Sequence, residues 1–534
     1  MKNNQLKQMM SGALLLSVAS LFAKILSAVY RVPFQNMVGN TGFYVYQQVY
    51  PIYGIGMTFA LSGFPVFFSK TIAEAKSRAE HRLLIKQSLL ILSVFSVGLF
   101  GILYLFSKQI AQFMGDEQLT PILQSVSWMF LFMPVLATFR GYFQGTYRMK
   151  PTAISQVMEQ IIRVVVILFV AYLFTVGGTD LYQMGAAAMS GATWGAIGST
   201  IILFYAILKE RREHPFETDI FVSKERHSER LSELAKRYLT EGMTICLLTS
   251  ILVLFQLIDS FTLYKGLVEN GMMEEAAKSL KGIYDRGQPL VQLGMVVGTG
   301  FSASFIPMMT QAFVAEQSDR FHYAAKSLIR MTATFSIAAA VGLLAILPEV
   351  NHMLFGDRNG NSVLAVYILS IVAASLVMAY HSILQSENQY RITLYALGIG
   401  LLIKYTANIF LVSHYGTMGA SVSTLLGLIV MTLFLGSKMR LSLKRVWKTD
   451  HFLAKLCGGS VLLYCGVYLS KFLLGWYFVD VNRTNSSIIA LIAVAIGMVI
   501  FVAYVLSVNL FTAREWLTLP FGKKILRRLN KGSS

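Results

Sequence analysis

Two stretches of this chain, Gly42–Phe67 (GFYVYQQVYPIYGIGMTFALSGFPVF) and Gly282–Met309 (GIYDRGQPLVQLGMVVGTGFSASFIPMM), lie over one another at a separation of 240 residues. Gly42 meets Gly282, Tyr44 meets Tyr284, Gln48 meets Gln288, Gly54 meets Gly294 and Ser62 meets Ser302, with Pro65 and Pro307 after a slip of two. A second set holds at 241: Gln144 with Gln385, Lys150 with Arg391 and Arg163 with Lys404. MGAAAMSGATWG, from Met184, is matched in turn by MGASVSTLLG, from Met418. Several matches in order at one offset mark an internal repeat.

Both stretches are mostly apolar, and so is the rest of the chain. Of 534 residues, 55% are hydrophobic and 14% charged, and the mean hydropathy is +0.58. That excludes a soluble protein of this size and points to a polytopic membrane protein. A helix needs roughly 20 apolar residues to cross a bilayer core, and barrel strands would alternate. The expected fold is therefore an all-α bundle of about fourteen transmembrane helices. The first spans about 10 to 30, the second 43 to 68, the seventh 239 to 264, the eighth 283 to 313, and the last two 452 to 474 and 487 to 509.

The repeat divides the chain into an N-terminal six-helix half, 1–208, and a C-terminal one, 239–436, joined by a charged linker, 209–238. Six spans is an even number, so the repeats are parallel and related by an axis along the membrane normal. Such pairs place a substrate path between two lobes. Two additional spans, 452–509, lie outside the repeat, followed by a basic amphipathic tail, 510–534, that suits an anionic membrane surface. The net charge of +19 raises the question of nucleic acid. With the N-terminus inside, however, roughly thirty Lys and Arg residues fall in inward loops and roughly eight in outward ones, which is the positive-inside pattern. Nucleic acid is not an expected partner, and both termini are expected in the cytoplasm. The basic start of the chain leads into an apolar run too long for a signal peptide. Cys246, Cys457 and Cys465 lie in apolar segments without metal-ligand spacing, and no metal site is expected.

The informative residues are charges within the expected spans, since each costs roughly 2.5 to 3.5 kcal/mol at mid-bilayer unless paired or wet. They are Lys24, Glu159, Arg163, Glu241, Asp259 and Lys404, with Arg31, Asp285 and Arg286 nearer the outer ends. Glu159 and Arg163 are one helical turn apart, a spacing at which opposite charges pair. Lys404 holds the place equivalent to Arg163 without a matching acid, so it pairs across helices or faces a cavity. Asp259 and Glu241 could each bind a coupling cation or balance a lysine. A predominantly cationic interior suits an anionic substrate, which arginine grips through its planar fork.

The first helix, with FAKILSAVYRVPFQNMVG, and the eighth, with YDRGQPLVQLG and GTGFSASFIP, resemble the polysaccharide transport and lipid II flippase branch of the multidrug/oligosaccharidyl-lipid/polysaccharide exporter superfamily. Within it, the chain resembles the stage V sporulation protein B and lipid II flippase group of Gram-positive bacteria. The resemblance implies a V-shaped pair of lobes in a bacterial plasma membrane, alternating between inward and outward openings. The implied substrate is an undecaprenyl-pyrophosphate-linked saccharide such as lipid II. Lys24 and Arg286 occupy the places of cavity residues in that group, with Arg31 offset by about one position. Gln288 and Lys404 complete the expected head-group contacts, and Asp285, Asp259, Glu241, Glu159 and Arg163 are expected in charge pairing or ion coupling. The two extra spans would form a groove for the polyprenyl tail. Membrane lipids and cell-wall synthesis proteins are further expected partners.

The rival is a drug or cation antiporter of the same superfamily, which would carry an acid in its first helix where this chain has Lys24. A sugar-phosphate porter of the major facilitator type lacks support, because the loop after the second span has no Gly-x-x-x-Asp-Arg signature. A glycosyltransferase would need acids in substantial outer loops, so no enzyme activity is expected. No nucleotide-binding glycine loop is present either, which leaves a Na⁺ or H⁺ gradient, the membrane potential or the substrate gradient as the energy source, and no cofactor.

Overall fold

The computed structural model describes residues 2–75, 77–178, 180–213, 231–478, 482–512 and 515–516. All regular structure among them is helical. Twelve stretches of the described residues are long and apolar enough to cross a membrane. The first of these, Leu15–Glu74, runs for 60 residues and covers two of the expected spans. The expected eighth span is the helix Gly287–Val314, which stands outside those twelve. Most of the expected linker and most of the amphipathic tail lie outside the described residues.

The helices used below are α1 (Lys2–Val29), α2 (Arg31–Met57), α3 (Met133–Gly145), α4 (Met149–Gly177), α5 (Ile251–Glu269), α6 (Glu274–Asp285), α7 (Gly287–Val314), α8 (Ser318–Ala345), α9 (Leu347–Phe355), α10 (Asn361–Ser386), α11 (Tyr390–Tyr415), α12 (Thr417–Lys438), α13 (Phe452–Tyr477) and α14 (Arg483–Ser507). Their ends follow local chemistry. Asp180 accepts hydrogen bonds from the Tyr182 and Gln183 amides to start a helix, while Gly178 and Gly356 end α4 and α9 in the left-handed conformation.

The chain packs as two compact units: residues 1–296 with 393–427, and residues 297–392 with 428–534. These follow packing and are drawn on a different basis from the repeat.

In the first unit, α2 packs on α4, α5 and α6, and α1 lies along α4. Two glycines allow the approach of α2 and α6. Gly39 takes a φ of 71°, which breaks the α2 helix and suits only a residue without a Cβ. A Cβ on Gly282 would lie 2.1 Å from the Asn40 carbonyl oxygen, so no larger residue fits there. Beyond α2 the helix widens into a π-helical turn at Thr58–Gly63. There Gly63 lies so close to Cys246 that a Cβ would meet its sulfur at 2.2 Å.

In the second unit, α8 packs against α10 and α13, α13 pairs with α14, and α9 lies on α14. The buried Arg330 of α8 faces Glu515 at 3.4 Å and Asp450 at 3.3 Å, donates to the Leu510 carbonyl and stacks over Phe452. The segment after the last helix is thereby held against α8. Trp516, in the basic tail expected at the membrane surface, is 8% exposed and packs on Phe511.

Candidate functional site: buried cations and tyrosines of the first unit

The buried face of α2 is rich in aromatic and amide side chains. Tyr44, Tyr46, Tyr50 and Tyr53 are all buried, as are Gln35, Gln47 and Gln48. Alternating a phenol ring with a polar handle lets one helix surface pack tightly and still hydrogen-bond. The Tyr30 hydroxyl donates to that of Tyr46 at 3.1 Å, and the rings of Tyr50 and Tyr53 are 5.5 Å apart.

Two arginines sit on this aromatic surface. The Arg31 guanidinium carbon stands 4.2 Å from the centre of the Tyr50 ring, and the residue is 0% exposed. None of its three guanidinium nitrogens has a hydrogen-bond partner among the described residues. Arg163 of α4 lies 4.6 Å from the Tyr53 ring and 5.0 Å from that of Tyr30. It donates from Nη2 to Ser27 at 3.0 Å and to Gln160 at 2.7 Å, while Nε and Nη1 are unmatched. Tyr50 and Tyr53 thus connect the two guanidinium groups. Ring faces recover roughly 0.5–2 kcal/mol per cation, well short of the several kcal/mol that burying an uncompensated charge costs. An anion accepting those free N–H groups would complete the account.

The polar face of α1 continues the site. Ser20 donates to Gln156 at 3.0 Å, and Ser27 accepts from Arg163. Lys24 lies between them in sequence; it is exposed and has no ion pair or hydrogen bond among the described residues. Arg286 enters from the start of α7: its Nη2 donates to Asn40 Oδ1 at 2.7 Å, and the same oxygen accepts from Gln35 at 2.9 Å. Gln288 accepts from Gln47 Nε2 at 3.2 Å, so it is bound to the α2 amide row.

Several of the expected charges form ion pairs with named partners. Glu159 pairs with Arg140 of α3, at 2.5 Å, and not with its helical neighbour Arg163. Arg140 also donates to Ser155 and the Ala60 carbonyl, whereas Arg163 is drawn away by the tyrosines. Lys404 of α11 pairs with Asp259 of α5 and further donates to Thr424 at 2.7 Å, Ser423 at 3.1 Å, Ala420 O at 3.2 Å and Asn408 at 3.3 Å. Asp259 also accepts from Tyr284 at 2.8 Å and Asn408 at 3.1 Å. Asp285 is held by Lys281, one turn earlier, at 2.6 and 2.8 Å. Glu241, expected within the seventh span, has 41% of its side chain exposed and pairs with Lys70 and Arg237, in a π-helical turn, Tyr238–Gly242, that precedes the apolar helix Met243–Thr249.

Sequence reading passes over Arg140, Lys281 and the tyrosines that carry the arginines. Lys281 had a signal, its four-residue spacing from Asp285. Tyr44 and Tyr284, matched in the repeat, each donate to a carboxylate, Asp116 at 3.0 Å and Asp259 at 2.8 Å.

The comparisons with known proteins agree with this architecture. The fold is shared with two solved structures: a lipid II flippase MurJ in an inward closed conformation, with a TM-score of 0.62 at 16% identity over 92% of this chain and 98% of that one, and an inward-facing multidrug resistance MATE family transporter, with a TM-score of 0.62 at 15% identity over 80% and 96%. Both have the helical fold of membrane transporters of the multidrug/oligosaccharidyl-lipid/polysaccharide superfamily, the class to which this protein is assigned. Within that class the chain belongs to the polysaccharide biosynthesis protein family, whose model matches residues 9–313. It is 37% identical over 525 residues to the uncharacterized membrane protein YabM of Bacillus subtilis, covering 97% of this chain and 96% of that protein. It is 25% identical over 524 residues to the lipid II flippase MurJ of the same organism, covering 92% and 94%.

Proposed function

We propose that the protein carries an undecaprenyl-pyrophosphate-linked saccharide, lipid II or a related cell-wall or polysaccharide precursor, from the inner to the outer leaflet of a bacterial plasma membrane. The observation that carries this reading is Arg31, fully buried on Tyr50 with three unmatched guanidinium nitrogens. Arg163 extends the donor set across Tyr53, and Lys24 supplies an exposed charge on the neighbouring helix. Pyrophosphate fits such donors because the planar fork of arginine makes two parallel charge-assisted bonds to it. The saccharide would meet the amide row of α2, whose Gln47 and Gln48 carbonyl oxygens have no partner.

In this mechanism the head group enters from the cytoplasmic side, binds the arginines as the halves part and is released outward as the repeat halves 1–208 and 239–436 alternate. Both termini lie in the cytoplasm. The two additional helices take the polyprenyl tail. Translocation breaks no covalent bond. The driving force is a Na⁺ or H⁺ gradient, the membrane potential or the substrate gradient. The antiporter reading rests on the MATE-like fold and the tyrosine-lined surface, which suits aromatic cations, but the unmatched arginines repel such cargo.

The test uses proteoliposomes containing fluorescent lipid II and compares wild type with Arg31→Ala and Lys24→Ala. Translocation by wild type and its loss in both folded variants is expected. Export of a cationic dye by a wild type that neither binds nor moves the lipid would replace this reading with the antiporter.

A further inference from the structure

A second polar site lies in the other packing unit, where α9, α13 and α14 meet. A cavity of about 300 Å³ is lined there by Glu349, Arg358, Lys471, Phe472, Trp476 and Ser486, among others. Its charges are loosely matched. The Glu349 carboxylate stands 3.6 Å from Arg358 Nη2 and 3.6 Å from Lys471 Nζ, both beyond hydrogen-bonding distance, and its Oε2 has no hydrogen-bond partner. One carboxylate therefore serves two cations without hydrogen-bonding to either.

The frame around the cavity is tied by hydrogen bonds. Arg483 donates to the Met353 and Leu354 carbonyls and so ties the end of α9 to the start of α14. His352 and Ser486 are hydrogen-bonded at 2.7 Å across the same two helices. The rim, by contrast, is aromatic and open: Trp476 is 75% and Tyr477 83% exposed, beside Phe472 and Tyr468. Exposed Trp and Tyr at a helix end mark the depth of lipid head groups. The outward faces of α13 and α14 below the rim are exposed Leu, Val and Ile side chains, as lipid contact requires.

We infer that this cavity binds the phosphate of a membrane lipid, held by Lys471 and Arg358, with its chains running down α13 and α14. A phosphate oxygen brought between the two cations replaces the distant Glu349 as their acceptor and makes the short charge-assisted bonds that the carboxylate does not. The aromatic rim selects a ligand anchored in the membrane over a free anion from water. The basic run Lys438, Arg440, Lys444, Arg445 and Lys448 precedes the opposite end of α13, so the positive-inside pattern puts the cavity at the outer leaflet. This site shares no residue with the arginine cluster, although its lipid chains lie on the same two helices that the proposed function gives to the polyprenyl tail; the probes below tell a phospholipid from a polyprenyl carrier there.

The test is photo-crosslinking of the full chain in nanodiscs with three diazirine lipids: a phosphatidic acid, a prenyl pyrophosphate and a phosphate-free diacylglycerol, with adducts mapped by mass spectrometry. At least one phosphate probe is expected to label peptides carrying Phe472, Trp476 or Ile489 about tenfold above the diacylglycerol, as charge-assisted bonding implies. Labelling by phosphatidic acid alone assigns a phospholipid, by the pyrophosphate alone a polyprenyl carrier, and by both the phosphate common to them. In Lys471→Gln/Arg358→Gln the signal is expected to fall to the diacylglycerol level. Glu349→Gln keeps both cations and the side-chain shape while removing the competing charge, so labelling is expected to rise about threefold. Equal labelling by all three probes, labelling unchanged in the double variant, or a fall in Glu349→Gln overturns the inference.

Discussion

Arg163 and Lys404 occupy matching places in the repeat, are both buried, and have opposite fates. Lys404 is saturated, with Asp259, Asn408, Ser423, Thr424 and the Ala420 carbonyl all accepting from its ammonium. Arg163 has two neutral acceptors, two tyrosine faces and two guanidinium nitrogens with nothing to bond. A buried cation whose every proton is matched needs nothing further to be stable, whereas one left short of acceptors, next to Arg31, is the one the proposed function gives to the substrate. The difference teaches that burial of charge alone does not mark a site; its unmet hydrogen bonds do.

The comparison breaks first on stability. Lys404→Met should destabilise the protein by about 3–5 kcal/mol, because it leaves Asp259 charged and buried. The double variant Lys404→Met/Asp259→Asn should recover most of that loss in a detergent unfolding series. A neutral Lys404→Met would show that the pair is not structural. Arg31→Met should do the reverse, with unfolding unchanged or shifted to greater stability. Its binding of a polyprenyl pyrophosphate, measured by fluorescence anisotropy, should weaken by about 1.5–3 kcal/mol for the lost charged hydrogen bonds.

The next effect sharpens the aromatic part. Tyr50→Leu removes the ring beneath Arg31, and a double-mutant cycle with Arg31→Met should return a coupling of roughly 0.5–2 kcal/mol in unfolding free energy. Zero coupling would mean that the ring only fills space. The smallest change is expected at Glu241→Gln, where exposed pairing with Lys70 and Arg237 contributes about 0–1 kcal/mol. Lipid transport in proteoliposomes should stay at the wild-type rate, and a large loss there would return Glu241 to the functional set.

Much of this was legible in the sequence. The apolar runs named the helices, since crossing a bilayer needs length and hydrophobicity that composition displays directly. Arg31, Arg163 and Arg286 stood out because charges in such runs need an explanation. The roles were harder to read. Glu159 looked like the partner of Arg163 from its spacing, but Arg140, nineteen positions before Glu159, reaches it across a helix interface. Lys404 had no acid nearby in sequence, and its partner lies 145 residues away. Tyr50 and Tyr53 read as ordinary apolar helix content, although they hold the guanidinium groups in place.

By itself, then, the sequence determined that the chain is a helical membrane protein of this transporter class, and that charges of both signs stand within its apolar runs. Hydrophobic length and helical period are properties of a single segment, so they are written in linear order. Only the tertiary structure decided which cations have their hydrogen bonds met inside the protein and which do not. A side chain on one helix meets its acceptor on another only when crossing helices bring them within about 3 Å, and that distance depends on packing that no single segment encodes.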